Sequence, residues 1–289
     1  MLNSVKAHGI LGLVEHLIQR RHLWSIEKET IPVAGNSSVS DEISYLQIIK
    51  EASSNDESFS KFRRNREYRQ ILEHVSKNQG KQYLGEIKTN RKELSGQLDR
   101  IKFLNTCGSP LVYFYSRLGL LSPTTLRYFK VYEDLIRMFP KLSQLNIAEI
   151  GGGFGGQAAV LRQLAGFNSY TIYDLPEVLK LQSKFLHTNS SSDDVLYADG
   201  REAPNGKFDL VISNYALSEL VPNLQRIYFE NVVQLAPSGY LTWNLISEKR
   251  LGGLSIEDVI EYLPNPTVIE ETPLTDHGNV LITWGTSQG

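Results

Sequence analysis

From Asn146 to the end of the chain, short apolar runs alternate with amphipathic stretches, and this alternation constrains the fold more than any other feature. Strands joined by helical crossovers must run parallel, so the pattern predicts βαβ units and a mostly parallel sheet. The spacing predicts strands over 146–150, 170–173, 195–197, 208–213 and 239–245. Helices are expected at about 156–165, 176–187 and 223–235, with a shorter one after Ser255. Thr267–Glu271 and Asn279–Trp284 are separated only by a turn around Asp276, His277 and Gly278, so these last two strands can pair only as an antiparallel hairpin.

The first half reads differently. Apolar residues recur there at three and four residues, which predicts helices carrying Leu13, Val14, Leu17 and Ile18, then Ile43, Leu46 and Ile49, then Ile71, Leu72 and Val75. Asn36-Ser37-Ser38 and Ser53-Ser54-Asn55-Asp56 read as the intervening loops. Ser122-Pro123 marks a helix start, with a hydroxyl to cap free amides and a proline at the first helical position; the helix should run to about Phe139, before Pro140. The crowd of Arg63, Arg64, Arg66 and Arg69 reads as a solvated helix face. These patterns divide the chain into a helical region, 1–140, and an α/β domain, 141–289.

Charge follows the same division. Residues 1–145 hold 22 Lys+Arg against 15 Asp+Glu, and residues 146–289 hold 8 against 17, although the whole chain has a net charge of only −2. A basic half suits an anionic partner and an acidic half a cationic ligand. The single cysteine, Cys107, cannot form an internal disulfide or build a Cys-based metal site, which fits a reducing cytoplasm. No run of apolar residues is long enough to span a membrane, and the six histidines lack a metal-ligand spacing. No metal site is therefore expected from the motifs, although Mg²⁺ held by distant carboxylates is left open. Nucleic acid is not expected as a partner.

Three acidic residues sit at successive predicted strand ends. Glu149 opens Glu149-Ile150-Gly151-Gly152-Gly153-Phe154-Gly155-Gly156, a glycine loop between a strand and a helix, where the backbone can turn sharply and pass close to a ligand. Gly151, Gly153 and Gly156 also satisfy G-x-G-x-x-G, so the loop alone fits a nicotinamide-dependent oxidoreductase equally well. Asp174 follows the second strand, where a carboxylate can accept both ribose hydroxyls. Asp199 follows the third, within reach of an adenine amino group. Three carboxylates suit an adenosyl ligand carrying a sulfonium and an ammonium better than a pyrophosphate.

The fourth strand leads into Asn214-Tyr215-Ala216-Leu217-Ser218-Glu219-Leu220, and from here the order of elements resembles the class I S-adenosylmethionine-dependent methyltransferases. Ser122-Pro-Thr-Thr-Leu-Arg-Tyr128, the glycine loop and Asp174-Leu-Pro-Glu177 resemble the sugar O-methyltransferases of bacterial surface-polysaccharide clusters, over roughly 105–285. The resemblance implies a Rossmann-like sheet with an N-terminal helical region. It also implies S-adenosyl-L-methionine as cofactor, held by Glu149, Gly151, Gly153, Asp174, Asp199 and Asn214, and a small-molecule or glycan acceptor. It leaves the base open, because Ser218-Glu219 stands where small-molecule O-methyltransferases often carry His-Asp. Glu219 and His277 are the two candidates. A non-catalytic scaffold that binds cofactor or glycan is the rival of another class. Arg127 or Tyr128 is expected near the cofactor or acceptor.

Overall fold

The computed structural model describes residues 43–89, 91–189, 194–202, 204–245, 248 and 252–287. The expected helix through Leu13–Ile18 and the loop at Asn36–Ser38 lie outside the described residues.

Seven strands form the central sheet: β3 (Asn146–Ile150), β4 (Ser169–Asp174), β5 (Val195–Asp199), β6 (Leu210–Asn214), β7 (Ser238–Trp243), β8 (Thr267–Glu270) and β9 (Val280–Trp284). Their order is β5-β4-β3-β6-β7-β9-β8. The pairs from β5 to β7 are all parallel, and β9 runs antiparallel to both β7 and β8. This is the Rossmann-like, mostly parallel sheet with a C-terminal antiparallel hairpin that the sequence led us to expect. Its order reverses between β3 and β6, the place where open α/β sheets leave a crevice beyond their carboxyl ends.

The strands alternate between two apolar layers. Ile147, Tyr170, Ile172, Ile212 and Tyr240 pack into one core; Ala148, Ile150, Tyr173, Val211 and Leu241 pack into another on the opposite face. The first layer also holds the helical half. It includes Ile49 of α1 (Ile43–Ser54), Phe59 of α2 (Asp56–Lys61), Tyr68 of α3 (Arg66–Ile71), Tyr83 of α4 (Lys77–Glu86) and Leu94 of α5 (Arg91–Arg100). Leu126, Phe129 and Leu135 of α6 (Pro123–Met138) join the same core. The remaining helices are α7 (Gly156–Leu164), α8 (Pro176–Asn189), α9 (Pro222–Tyr228), continued by a π-helical turn over Phe229–Val233, and α10 (Ile256–Tyr262).

Several readings of the first half need correction. The helix expected through Val75 stops at Ile71, and Leu72 caps it. Ser53 and Ser54 remain helical; Asn55 alone breaks the chain, because its side chain accepts from the Ser58 amide to start α2. A two-stranded hairpin, β1 (Tyr113–Tyr115) with β2 (Gly119–Leu121), interrupts the helices, turning through positive φ at Arg117 and Gly119. Arg63 is not on a solvated face: it is fully buried, and its guanidinium donates to Glu73 at 2.6 Å and to the Leu104 carbonyl at 2.6 Å. It also lies 4.3 Å from the ring centroid of Phe154, in the glycine loop.

Candidate functional site

The glycine loop turns through positive φ at Gly151, Gly153 and Gly155, a region costly for any residue with a Cβ. At Gly151 a Cβ would also stand 2.0 Å from that of Ala216, just beyond β6. At Gly156 it would meet the ring of Tyr128 at 2.3 Å, so this glycine lets α7 close on α6. The loop is therefore fixed by backbone conformation at one end and by helix packing at the other.

A cleft opens over the reversal point of the sheet. Gly151, Gly153, Asp174, Asn214 and Glu219 line it together, as do Tyr45, His74 and Arg127 from the helical half. Five of the eight sequence-derived candidates thus share one wall, and Arg127 faces the same space. The other three lie elsewhere. Glu149 sits buried beneath the loop, accepting from the Tyr170 hydroxyl at 2.9 Å. Asp199 is engaged by Arg201, at 3.0 and 2.8 Å, while Gly200 and Arg201 take its place in the cleft wall. His277 is exposed in the β8–β9 turn and is not part of the wall.

Burial controls the acidity of these groups. It raises the Glu149 pKa to about 8, with the Tyr170 bond working against it and Asp174 adding to it. Burial likewise raises Asp174 to about 7, against amide donors from Leu175, Gln182, Gly152 and Gly153. Two carboxyls this reluctant to ionise form a site that gains from a cation. Glu219 is raised by burial too, with a 3.4 Å bond from Asn244 opposing the shift. Asp199 moves the other way, lowered by its bond from Arg201.

Two lining residues lay beyond sequence reasoning. Tyr215, at φ +71°, is a strained non-glycine position at the end of β6, and its hydroxyl bonds to Glu271 and Thr275. His74 follows the end of α3; its Nδ1 lies 3.0 Å from the Ile71 carbonyl. A carbonyl can only accept, so Nδ1 carries the proton and Nε2 keeps its lone pair. Desolvation and the Arg127 charge lower the imidazole pKa. Nothing in the spacing of the six histidines distinguishes this one, since only the fold brings the α3–α4 connection to the sheet edge.

Among the described residues no group of three or more His, Cys, Asp or Glu side chains could hold a metal ion, and no helix is long and apolar enough to cross a membrane.

No protein-family model and no curated protein sequence matches the chain. Similar solved structures include the N-methyltransferase NodS from Bradyrhizobium japonicum WM9 in complex with S-adenosyl-L-homocysteine, at 18% identity over 55% of this chain and 85% of that one, with a TM-score of 0.39. Another is an S-adenosylmethionine-dependent methyltransferase from Mesorhizobium loti, at 16% identity over 53% and 95%, TM-score 0.39. PigF with SAH matches at 17% identity over 53% and 60%, TM-score 0.39.

Proposed function

We propose that this protein is an S-adenosylmethionine-dependent methyltransferase that methylates a sugar hydroxyl. The observation that carries the reading is the joint wall of Gly151, Gly153, Asp174 and Asn214 at the reversal point of the sheet, with the half-buried carboxyl of Glu219 beside them. The residues fit the cofactor: the positive φ of Gly151 and Gly153 brings the loop backbone into the cleft wall, and the raised carboxyls of Glu149 and Asp174 favour a neighbouring positive charge. The same acidity disfavours the pyrophosphate of a nicotinamide dinucleotide. When bound, the cofactor supplies an electrophilic methyl group on a sulfonium.

Asp174 and the loop hold the adenosyl portion, with Asn214 at the neighbouring strand end. Glu219 accepts the proton that the acceptor hydroxyl gives up. Its raised pKa suits that role, because a base works best with a pKa near the working pH. An amine acceptor in its neutral form needs no such base, which favours oxygen over nitrogen. His74 is a second reading for the base, supported by its Nε2 lone pair in the same wall.

Calorimetry should show S-adenosylmethionine or S-adenosylhomocysteine binding and no binding of NAD(H) or NADP(H); tight dinucleotide binding overturns the proposal. Single-turnover rates at saturating cofactor separate the bases. Glu219→Gln should lose at least about 10²-fold with cofactor affinity unchanged, and His277→Asn less than tenfold. A loss of about 10²-fold in His74→Asn instead transfers the role to His74.

A further inference from the structure

A second pocket adjoins the cofactor cleft, and His74 lines both. Its wall carries Arg66 and Arg69 of α3, together with Ser76 and Lys77 at the N-terminus of α4. Arg66 and Arg69 are three residues apart on a helix and so share a face. The Nε of Arg69 is buried and has no hydrogen-bond partner among the described residues. Among the described residues no ion pair engages Arg66, Arg69 or Lys77. The carboxylate in this wall, Glu73, is already held by Arg63 at 2.6 Å and by the Thr124 hydroxyl at 3.0 Å.

Three cations with no carboxylate partner among the described residues share one pocket with the N-terminus of a ten-residue helix, and an anion there would satisfy the buried Nε of Arg69 and face the positive helix end. Two guanidinium forks and an ammonium match a multiply charged tetrahedral group better than one carboxylate. Lys77 also lies 5.7 Å from the ring centroid of Tyr113, which lines the same pocket.

We propose that this second pocket binds the phosphate or diphosphate of the methyl acceptor, which is therefore a phosphorylated or nucleotide-linked sugar rather than a free one. The inference rests on the methyltransferase reading for the identity of the acceptor, but the anion pocket itself does not. An acceptor anchored there reaches past His74, so its sugar lies toward Glu219 and the glycine loop.

The test is calorimetric titration of the full chain with sodium pyrophosphate, glucose 1-phosphate and uridine diphosphate, each alone, in wild type and in Arg69→Gln and Lys77→Gln. At least one probe should bind, at least about tenfold more weakly in each variant and more weakly in higher salt, with S-adenosylhomocysteine affinity and thermal midpoint unchanged. Tighter uridine diphosphate than pyrophosphate identifies a nucleotide-linked sugar; tighter glucose 1-phosphate identifies a sugar phosphate. If none of the probes binds, or if Arg69→Gln binds them as well as wild type, the pocket proposal is overturned. S-adenosylhomocysteine binding in that case leaves the methyltransferase reading standing. Probe binding without S-adenosylhomocysteine binding overturns that reading instead, and with it the assignment of the anion to a methyl acceptor.

Discussion

The two halves of the molecule build the site by different means. In the α/β half, the site is written into the main chain: glycines at positive φ meet Asp174 and Asn214 at strand ends because a parallel sheet aligns all its carboxyl edges. In the helical half the cleft wall is made by side chains, Arg127 and Tyr45 on helices and His74 on the α3–α4 connection, which reach the cleft only through tertiary packing. The first kind of site tolerates change in neighbouring side chains but not in the loop. The second depends on the docking of one half upon the other.

The contact that most sharply tests this dependence is Arg63. It ties the helical half to the glycine loop through Phe154, and it is fully buried with Glu73 as its ionic partner. Arg63→Ala leaves a buried carboxylate without its cation, and such losses typically cost about 3–5 kcal/mol. Chemical denaturation should show a destabilisation of that size. A loss below about 1 kcal/mol would mean that the two halves hold together without this clamp.

Stability against pH distinguishes the halves next. Glu149 and Asp174 have folded pKa values of about 8 and about 7, above the usual range for unfolded carboxyls. The folded state therefore holds more protons than the unfolded state between about pH 4 and these values. Stability from these groups is complete below the unfolded pKa and is lost as pH rises through the folded one, at up to about 1.4 kcal/mol per pH unit for each proton. The thermal midpoint should fall from pH 5 to pH 8, and Glu149→Gln should flatten the fall. Saturating S-adenosylmethionine should flatten it as well, because a bound cation favours the ionised carboxyls. A midpoint that rises over this range contradicts both shifts.

Asp174→Ala confines the effect to the α/β half. On the proposed reading it removes the acceptor of charged hydrogen bonds to the cofactor's ribose, so cofactor affinity should fall by about 1.5–3 kcal/mol. Pyrophosphate binding in the basic pocket should remain, since none of that pocket's lining residues belongs to the α/β half. Loss of both together would show a single site rather than two.

The same contrast explains what the sequence discloses. The sheet's strands are legible because residues buried on both faces form short, mostly apolar runs, as in Ile147-Ala148 and Leu210–Ile212. Gly151 and Gly153 are legible because only glycine accepts their backbone angles without strain. Arg63 is not, since four arginines within seven residues look alike until one of them meets Glu73 and the Leu104 carbonyl. Glu149 shows the limit within the legible half: its position at a strand end is readable, but its side chain turns under the loop toward Tyr170. His74 is invisible for the opposite reason, as its role depends on a helix end that hydrophobic spacing placed too late.

The smallest expected effect concerns the helix that joins the halves. Ser122-Pro123 reads as a capped helix start, and loss of such a cap by Ser→Ala ordinarily costs about 0.5–2 kcal/mol. In the structure Ser122 occupies the N-cap position with extended backbone, but its hydroxyl caps nothing; it is buried without a partner. Asn105 organises this turn instead, with Oδ1 accepting from the Ser122 amide at 2.8 Å and from the Thr125 hydroxyl at 2.9 Å. Removing an unsatisfied buried hydroxyl relieves a desolvation cost, which offsets the small loss of packing. Ser122→Ala should therefore leave stability within about 0.5 kcal/mol of wild type or raise it slightly. Asn105→Ala, which strips both donors of their acceptor, should cost about 1–3 kcal/mol. A drop of 1 kcal/mol or more in Ser122→Ala, as measured by denaturant titration, would restore the cap and show that the start of α6 is governed locally rather than by its contact with Asn105.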